Sequence, residues 1–304
     1  MQIQKNIPLT IYATFHIGGN ADYFCEIFTK EDLKEAISFA KEKKLKTFFL
    51  GGGSNILFSD KGFRGIVLKM KNKAMEMRGE NILAEAGVLI SEMVRFAKKN
   101  GKDLSGFLAL PGTWGGAVTG NAGIPSWEAK DTLISAEIFD IEKGDFFTVD
   151  KNWFEYEYRN SKLHKMKEKK YIVWSAEQSA PDGDPDEIQK KCNEILKMRK
   201  EKQPAGFSGG SFFKNLPESE KFPFPKNKAG WMLDQIGAKG EKIGDALVPE
   251  LHANFLQNSG KATQKDVLEL ARKLAKKVEE KFGVRLEPEV KMYDEFGGKI
   301  ELAS

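Results

Sequence analysis

The chain has 304 residues, 40% of them hydrophobic and 30% charged, with a formal net charge of +4. That is an ordinary globular balance, at a length that allows two domains or one large one and a core of useful size. So mild a charge gives no reason to expect a nucleic-acid partner, although it suits an anionic small molecule.

The lysine-rich stretches 41–46 and 165–170 alternate with apolar or acidic residues and read as solvated faces. Cys25 and Cys192 form neither a CxxC nor a zinc-ligand spacing. A reduced, cytoplasmic setting without disulfides is expected. The first eight residues, Met1 to Pro8, lack the apolar core of a secretory signal, and no apolar run approaches the roughly 18 residues of a membrane span.

In chain order, 22–28 reads as a strand. Thr29 then caps a helix over 30–44 whose Leu33, Ile37 and Ala40 share one face. Thr47–Leu50 is a short buried strand running into Gly51-Gly52-Gly53-Ser54-Asn55. Strands follow at 66–70 and 82–86, then a helix over 89–100 closed by Gly101. The segment 110–123 reads as a long glycine-rich loop, with strands beyond it at 133–140 and 171–175. A turn at 181–185 leads into a charged helix over 186–201. The texture then changes: 206–215 is glycine-rich, 229–236 and 264–282 look helical, and 284–292 ends in a strand. The mixture argues an α+β fold, with a domain boundary near 195–205.

Three glycine-bearing segments carry the candidate chemistry. In Gly51–Asn55, glycines after a strand let the backbone approach a ligand and turn its amides inward. Those amides, with the Ser54 hydroxyl and the Asn55 amide, suit phosphate oxygens. The spacing is neither that of a P-loop nor that of a dinucleotide GxGxxG. Taken alone, the run is also compatible with a mere tight turn. Pro111–Gly123 holds five glycines with Thr113, Thr119 and Asn121 between them and no charge. Such a loop suits a diphosphate and a flavin edge, the other reading being a buried irregular crossing. In Gly209–Asn215, Ser211 does not stand in a GxSxG elbow, so it is no hydrolase nucleophile.

Taken together these segments resemble the MurB family of UDP-N-acetylenolpyruvoylglucosamine reductases. The matching stretches are 14–19, 51–55, 110–123, Tyr158-Arg159-Asn160-Ser161, 210–215, 237–240, His252-Ala253-Asn254-Phe255 and Leu286-Glu287-Pro288-Glu289-Val290. They stand in the family's order and cover nearly the whole chain. The resemblance implies an α+β chain with a FAD-binding domain of the PCMH (vanillyl-alcohol-oxidase-like) type over 1–198, made of two α+β subdomains of which the first covers about 1–70. A MurB C-terminal α+β substrate domain would follow over 199–304. It implies FAD and NADPH as redox partners, UDP-N-acetylglucosamine enolpyruvate as substrate and a place in peptidoglycan precursor synthesis. No membrane or nucleic-acid partner is implied, and a monomer is expected.

On the same resemblance FAD lies against Gly51, Gly52, Gly53, Ser54, Asn55, Pro111, Gly112, Thr113, Gly115, Gly116, Asn121 and Gly123. Some oxidases of the wider fold link flavin covalently through a histidine after the glycines. Ser54 stands here, so FAD should be held non-covalently, with His16 as a possible neighbour. Arg159, Ser211 and Glu289 are the implied catalytic residues, and Arg159, Lys214 and Asn215 the implied substrate contacts. Arg159 is a permanent cation whose planar fork matches a carboxylate. Ser211 would protonate the substrate's α-carbon. Glu289 would act as a neutral carboxyl, which burial favours. Arg159 and Ser211 stand 52 positions apart, the spacing of a short-loop subtype without a substrate-covering tyrosine loop. Trp114, Gly206-Phe207-Ser208-Gly209 and Leu216 depart from the family's usual residues and put loop geometry in question. A flavin oxidase of similar fold and a non-catalytic nucleotide-sugar binder are the competing readings.

Overall fold

Alternating burial along strands and one-sided burial along helices organise the chain around two cores. In the computed structural model, residues 1–124, 127–166 and 170–302 are described. Residues 167–169, inside the second lysine-rich stretch, lie outside them. The chain divides into two compact units: 1–3, 25–52 and 67–199 form the first, and 4–24, 53–66 and 200–304 the second.

The first unit holds an antiparallel five-stranded sheet in the order Asp145–Asp150, Leu133–Asp140, Tyr171–Gln178, Asn81–Glu85, Met75–Arg78. Its inward residues, among them Ile82, Ala84, Ala136, Ile138, Val173 and Ala176, join one apolar cluster with Met93, Val94 and Ala97 of the helix Ile90–Lys99. The helix Lys30–Glu42 begins as the sequence predicts. Thr29 accepts from the Asp32 N–H at 3.0 Å while the Asp32 carboxylate accepts from Thr29, a reciprocal capping box. Thr47–Leu50 neighbours Phe63–Met70 in strand order.

The second unit holds an antiparallel sheet in the order Phe207–Ser211, Phe255–Asn258, Ala246–Leu247, Lys242–Ile243. The helix Gln264–Phe282 buries Val267, Leu270, Ala271, Leu274 and Val278 at helical spacing against this unit's core. Thr263 caps its start, and Gly283, at φ 66°, ends it in the left-handed conformation. Lys291–Met292 pairs in parallel with Ile56–Leu57.

One sequence expectation is corrected. The segment 110–123 is not a loop throughout, because Trp114–Gly120 is an α-helix. Its glycines disfavour helix, but Trp114, Ala117 and Val118 are buried on one side in the first unit's core. Tertiary packing outweighs propensity there. The glycine-rich 206–215 contains the strand Phe207–Ser211, paired to Phe255–Asn258 through a bulge. Strands at 75–78 and 145–150 were also missed: Met75–Arg78 alternates apolar and charged residues over only four positions, and adjacent Phe146 and Phe147 break the alternation in Asp145–Asp150.

Candidate functional site

In the first unit the two glycine segments of the sequence meet. A Cβ on Gly51 would stand 2.6 Å from the Thr113 Oγ1, and one on Gly52 would stand 2.5 Å from the Gly112 Cα. Only hydrogen fits at either position. Thr113 is buried and its Oγ1 has no hydrogen-bond partner among the described residues. A buried hydroxyl left unmatched beside closely approaching glycine backbone is what a ligand with phosphate oxygens would satisfy. These residues therefore fit a diphosphate-bearing cofactor.

Gly115 serves packing: its Cβ position lies 2.5 Å from the Ala86 Cβ, which lets Trp114–Gly120 lie flush on neighbouring backbone. Asn121 ends that helix at φ 49°. Its Nδ2 donates to the Glu157 carbonyl at 3.0 Å and its Oδ1 accepts from the Lys130 N–H at 3.1 Å.

Arg159 is mounted on this frame. Glu157 and Asn160 bond reciprocally through their backbones and leave Arg159 at φ 54° between them. A non-glycine residue in the left-handed region is strained by about 1–3 kcal/mol. The surrounding contacts hold it: the guanidinium donates to the Asn121 and Gly123 carbonyls, and the Ser161 Oγ donates to the Thr119 carbonyl at 2.5 Å. The Tyr158 ring lies 5.4 Å from the guanidinium carbon. Beside this frame burial pushes the Tyr156 phenol well above its usual range, and the phenol donates to the Val118 carbonyl at 2.8 Å.

The second unit brings Ser211 and Glu289 onto adjacent segments. Ser208 pairs with Gln257, but Ser211, not Gly210, pairs with Phe255. This one-residue bulge re-aims the side chain at the strand's end. Gly210 supplies the required positive φ of 81°, and a Cβ on Gly209 would stand 2.6 Å from the Phe15 ring. The Glu289 N–H donates to the Phe212 carbonyl at 2.7 Å, and Phe213 bridges Pro288. The Asn55 Nδ2 donates to the Glu289 carbonyl at 3.2 Å, so Asn55 steadies the Glu289 backbone. Lys214 donates its N–H to the Glu287 carbonyl and its ammonium lies 3.3 Å from the Glu287 carboxylate. The Asn215 Oδ1 accepts from the Ala229 N–H at 3.1 Å and is thereby engaged at the start of the helix Ala229–Gln235. Gly53 packs on the Tyr12 carbonyl, and its own carbonyl accepts from Thr14 at 3.1 Å. The His16 ring stacks on Phe207 with centroids 3.9 Å apart.

Sequence reasoning missed Lys69. Its ammonium donates to the Gly51 carbonyl, and burial lowers its pKa to about 8. The apolar run Gly65–Leu68 before it marks a buried strand, and a lysine at that strand's end was the available signal.

Among the described residues no helix is long and apolar enough to cross a membrane, and no cluster of metal-ligating side chains occurs.

Residues 21–150 match the FAD binding domain, and residues 202–293 match the UDP-N-acetylenolpyruvoylglucosamine reductase C-terminal domain. The UDP-N-acetylenolpyruvoylglucosamine reductase of Caldanaerobacter subterraneus is 37% identical over 97% of this chain and 94% of its own length. That of Caldicellulosiruptor saccharolyticus is 38% identical over 97% and 93%. The crystal structure of the Thermus caldophilus UDP-N-acetylenolpyruvylglucosamine reductase (MurB) superposes with a TM-score of 0.79 at 32% identity, covering 96% of this chain and 99% of that one. The fold and the glycine cradle thus define a FAD-dependent oxidoreductase, α+β, with a FAD-binding domain preceding a MurB C-terminal domain. The chain belongs to the UDP-N-acetylenolpyruvoylglucosamine reductase family.

Proposed function

We propose that the chain reduces UDP-N-acetylglucosamine enolpyruvate to UDP-N-acetylmuramate, with NADPH as electron donor and FAD as carrier, in cytoplasmic peptidoglycan precursor synthesis. The observation that carries the reading is similarity to reductases of this name along nearly the full length of both chains. The bulge that re-aims Ser211 beside the Glu289 segment supports it. Residues 1–198 would form the FAD-binding part, with about 1–70 as its first subdomain, and 199–304 the substrate-binding part. The working species would be a monomer.

FAD would be held non-covalently against Gly51 to Asn55 and against Pro111, Gly112, Thr113, Gly115, Gly116, Asn121 and Gly123. When bound, it supplies a hydride to the terminal carbon of the enol ether. The protein's own task is to stabilise the negative charge that then grows on the substrate carboxylate. Arg159 holds that carboxylate with a permanently charged planar fork. Its strained backbone position presents a guanidinium already held by two carbonyls, so little entropy is lost on binding. Ser211 gives its hydroxyl proton to the α-carbon, a basic acceptor at close range. Glu289, as a neutral carboxyl, hydrogen-bonds the developing charge. Lys214 and Asn215 steady the diphosphate, Asn215 through the amide nitrogen left by its bond to Ala229.

Ser211→Ala tests the assignment with the two half-reactions followed separately. Flavin reduction by NADPH should survive, while substrate reduction falls by about 10²–10⁴, the range for a lost proton donor. Equal, undiminished rates in both would remove Ser211 from the mechanism. Absence of substrate-dependent NADPH oxidation by the native enzyme would remove the reading itself.

A further inference from the structure

We propose that Lys69 is a positioning residue for the cofactor, a cationic clamp that orients the Gly51–Gly52 peptide and supplies positive charge to the loop holding the FAD diphosphate. The inference rests on the FAD reading above and adds a residue outside the glycine segments to it.

Lys69 lies one residue before the end of Phe63–Met70, the strand beside Thr47–Leu50, from which the chain enters Gly51. Its ammonium donates to the Gly51 carbonyl. The peptide is planar and trans, so fixing that carbonyl fixes the Gly52 N–H in the opposite direction, away from the lysine. Gly51 and Gly52 are also the residues whose Cβ positions are closed by Thr113 and Gly112. The clamp therefore acts on the peptide that forms the narrowest part of the cradle. Glycine has the widest backbone freedom of any residue, and a loop of three glycines needs such an external hold to keep its amides in one orientation.

The charge balance points the same way. Lys69 is largely shielded from water yet makes no salt bridge among the described residues. The charged groups facing it are Lys71, Lys73 and Glu26, and the glycine segments opposite contribute Thr113 and no charge. Glu26 lies 3.5 Å from Lys71, and Lys73 lies 3.4 Å from Glu92. Neither carboxylate is left as a dedicated counterion for Lys69. A shielded ammonium with no such partner is costly. A diphosphate on the adjacent loop provides the missing negative charge. Burial, with Lys71 as the second cause, brings the Lys69 pKa down to about 8. A bound diphosphate favours the ammonium, so FAD binding takes up a proton in this region and weakens as pH rises above it.

The test is FAD affinity of the apoprotein, read by flavin fluorescence between pH 6.5 and 9.5, roughly spanning the titration of a group near 8. The native protein should bind about tenfold more weakly at the alkaline end. Lys69→Gln should weaken FAD binding roughly ten- to a hundredfold at neutral pH, as expected for a lost charge-assisted bond, and flatten the pH profile. Lys69→Arg should keep most of the neutral-pH affinity and lose the alkaline decline, because arginine stays charged. A structural role alone would not be rescued in this way. Circular dichroism checks that each apoprotein is folded. If Lys69→Gln does not fold, the Lys69→Arg profile still decides. Native affinity with the native pH profile in both variants overturns the clamp. Absence of FAD binding by the native protein overturns the cofactor reading instead.

Discussion

The helix Trp114–Gly120 and the strand Phe207–Ser211 start from similar sequence and end in opposite structures. Each is glycine-rich and nearly free of charge. In the first, Trp114, Ala117 and Val118 present a buried face at helical spacing, and Gly115 lets that face lie against Ala86. In the second, no such face exists. Backbone pairing with Phe255–Asn258 satisfies the chain, and the glycines are used for a bulge. Glycine content says that the backbone must do something unusual. The flanking side chains decide what.

Removing the apolar anchor breaks the helical side of this comparison most severely. Trp114→Ala leaves a cavity at a fully buried site and should cost about 3–5 kcal/mol, seen as a lower denaturation midpoint together with loss of bound FAD. An unchanged midpoint would mean that the helix does not depend on its anchor. Gly115→Ala should cost about 1–3 kcal/mol, because the new methyl meets Ala86 side chain and backbone. Urea denaturation measures both.

The strand side should respond differently. Around Gly210 a Cβ meets nothing within 4 Å, so Gly210→Ala tests backbone conformation alone. At φ 81° it should cost about 1–2 kcal/mol. Its larger effect should fall on substrate reduction, since the bulge aims Ser211. If that half-reaction is unaffected, the bulge has no role in placing the serine.

The smallest expected effect concerns His252 in the second unit. Burial lowers its pKa below the ordinary 6.5, and its Nδ1 accepts from the Asn254 N–H at 3.1 Å, as a neutral imidazole does. Below pH 6.5 the unfolded chain binds a proton that the folded one refuses. Its contribution is therefore intact above 6.5 and is lost as pH falls from there toward the folded value. His252→Gln should reduce the slope of stability against pH just below 6.5, and an unchanged slope there would exclude His252 as its source.

Much of this molecule was legible along the chain. Thr47–Leu50, Leu133–Asp140 and Gln264–Phe282 have the predicted bounds, because apolar periodicity and capping residues are local signals. The glycine segments were legible as sites, and the ordered motifs as a family. The hairpin strands Met75–Arg78 and Asp145–Asp150 were not, since the first alternates over only four residues and the adjacent Phe146 and Phe147 break the period in the second.

The sequence by itself determined which residues were available for chemistry: Arg159, Ser211, Glu289 and two glycine runs. Tertiary structure alone decided how they are held. It set Gly51 and Gly52 against Gly112 and Thr113, bent Arg159 into a strained turn fixed by Asn121 and Gly123, and used a bulge to turn Ser211 beside the Glu289 segment. It also put the Lys69 ammonium on the Gly51 carbonyl, which no motif announces. The reason is physical: residue type and local periodicity are properties of a short stretch of chain. A close approach, a strained φ or a shielded ammonium is created by residues far away in sequence.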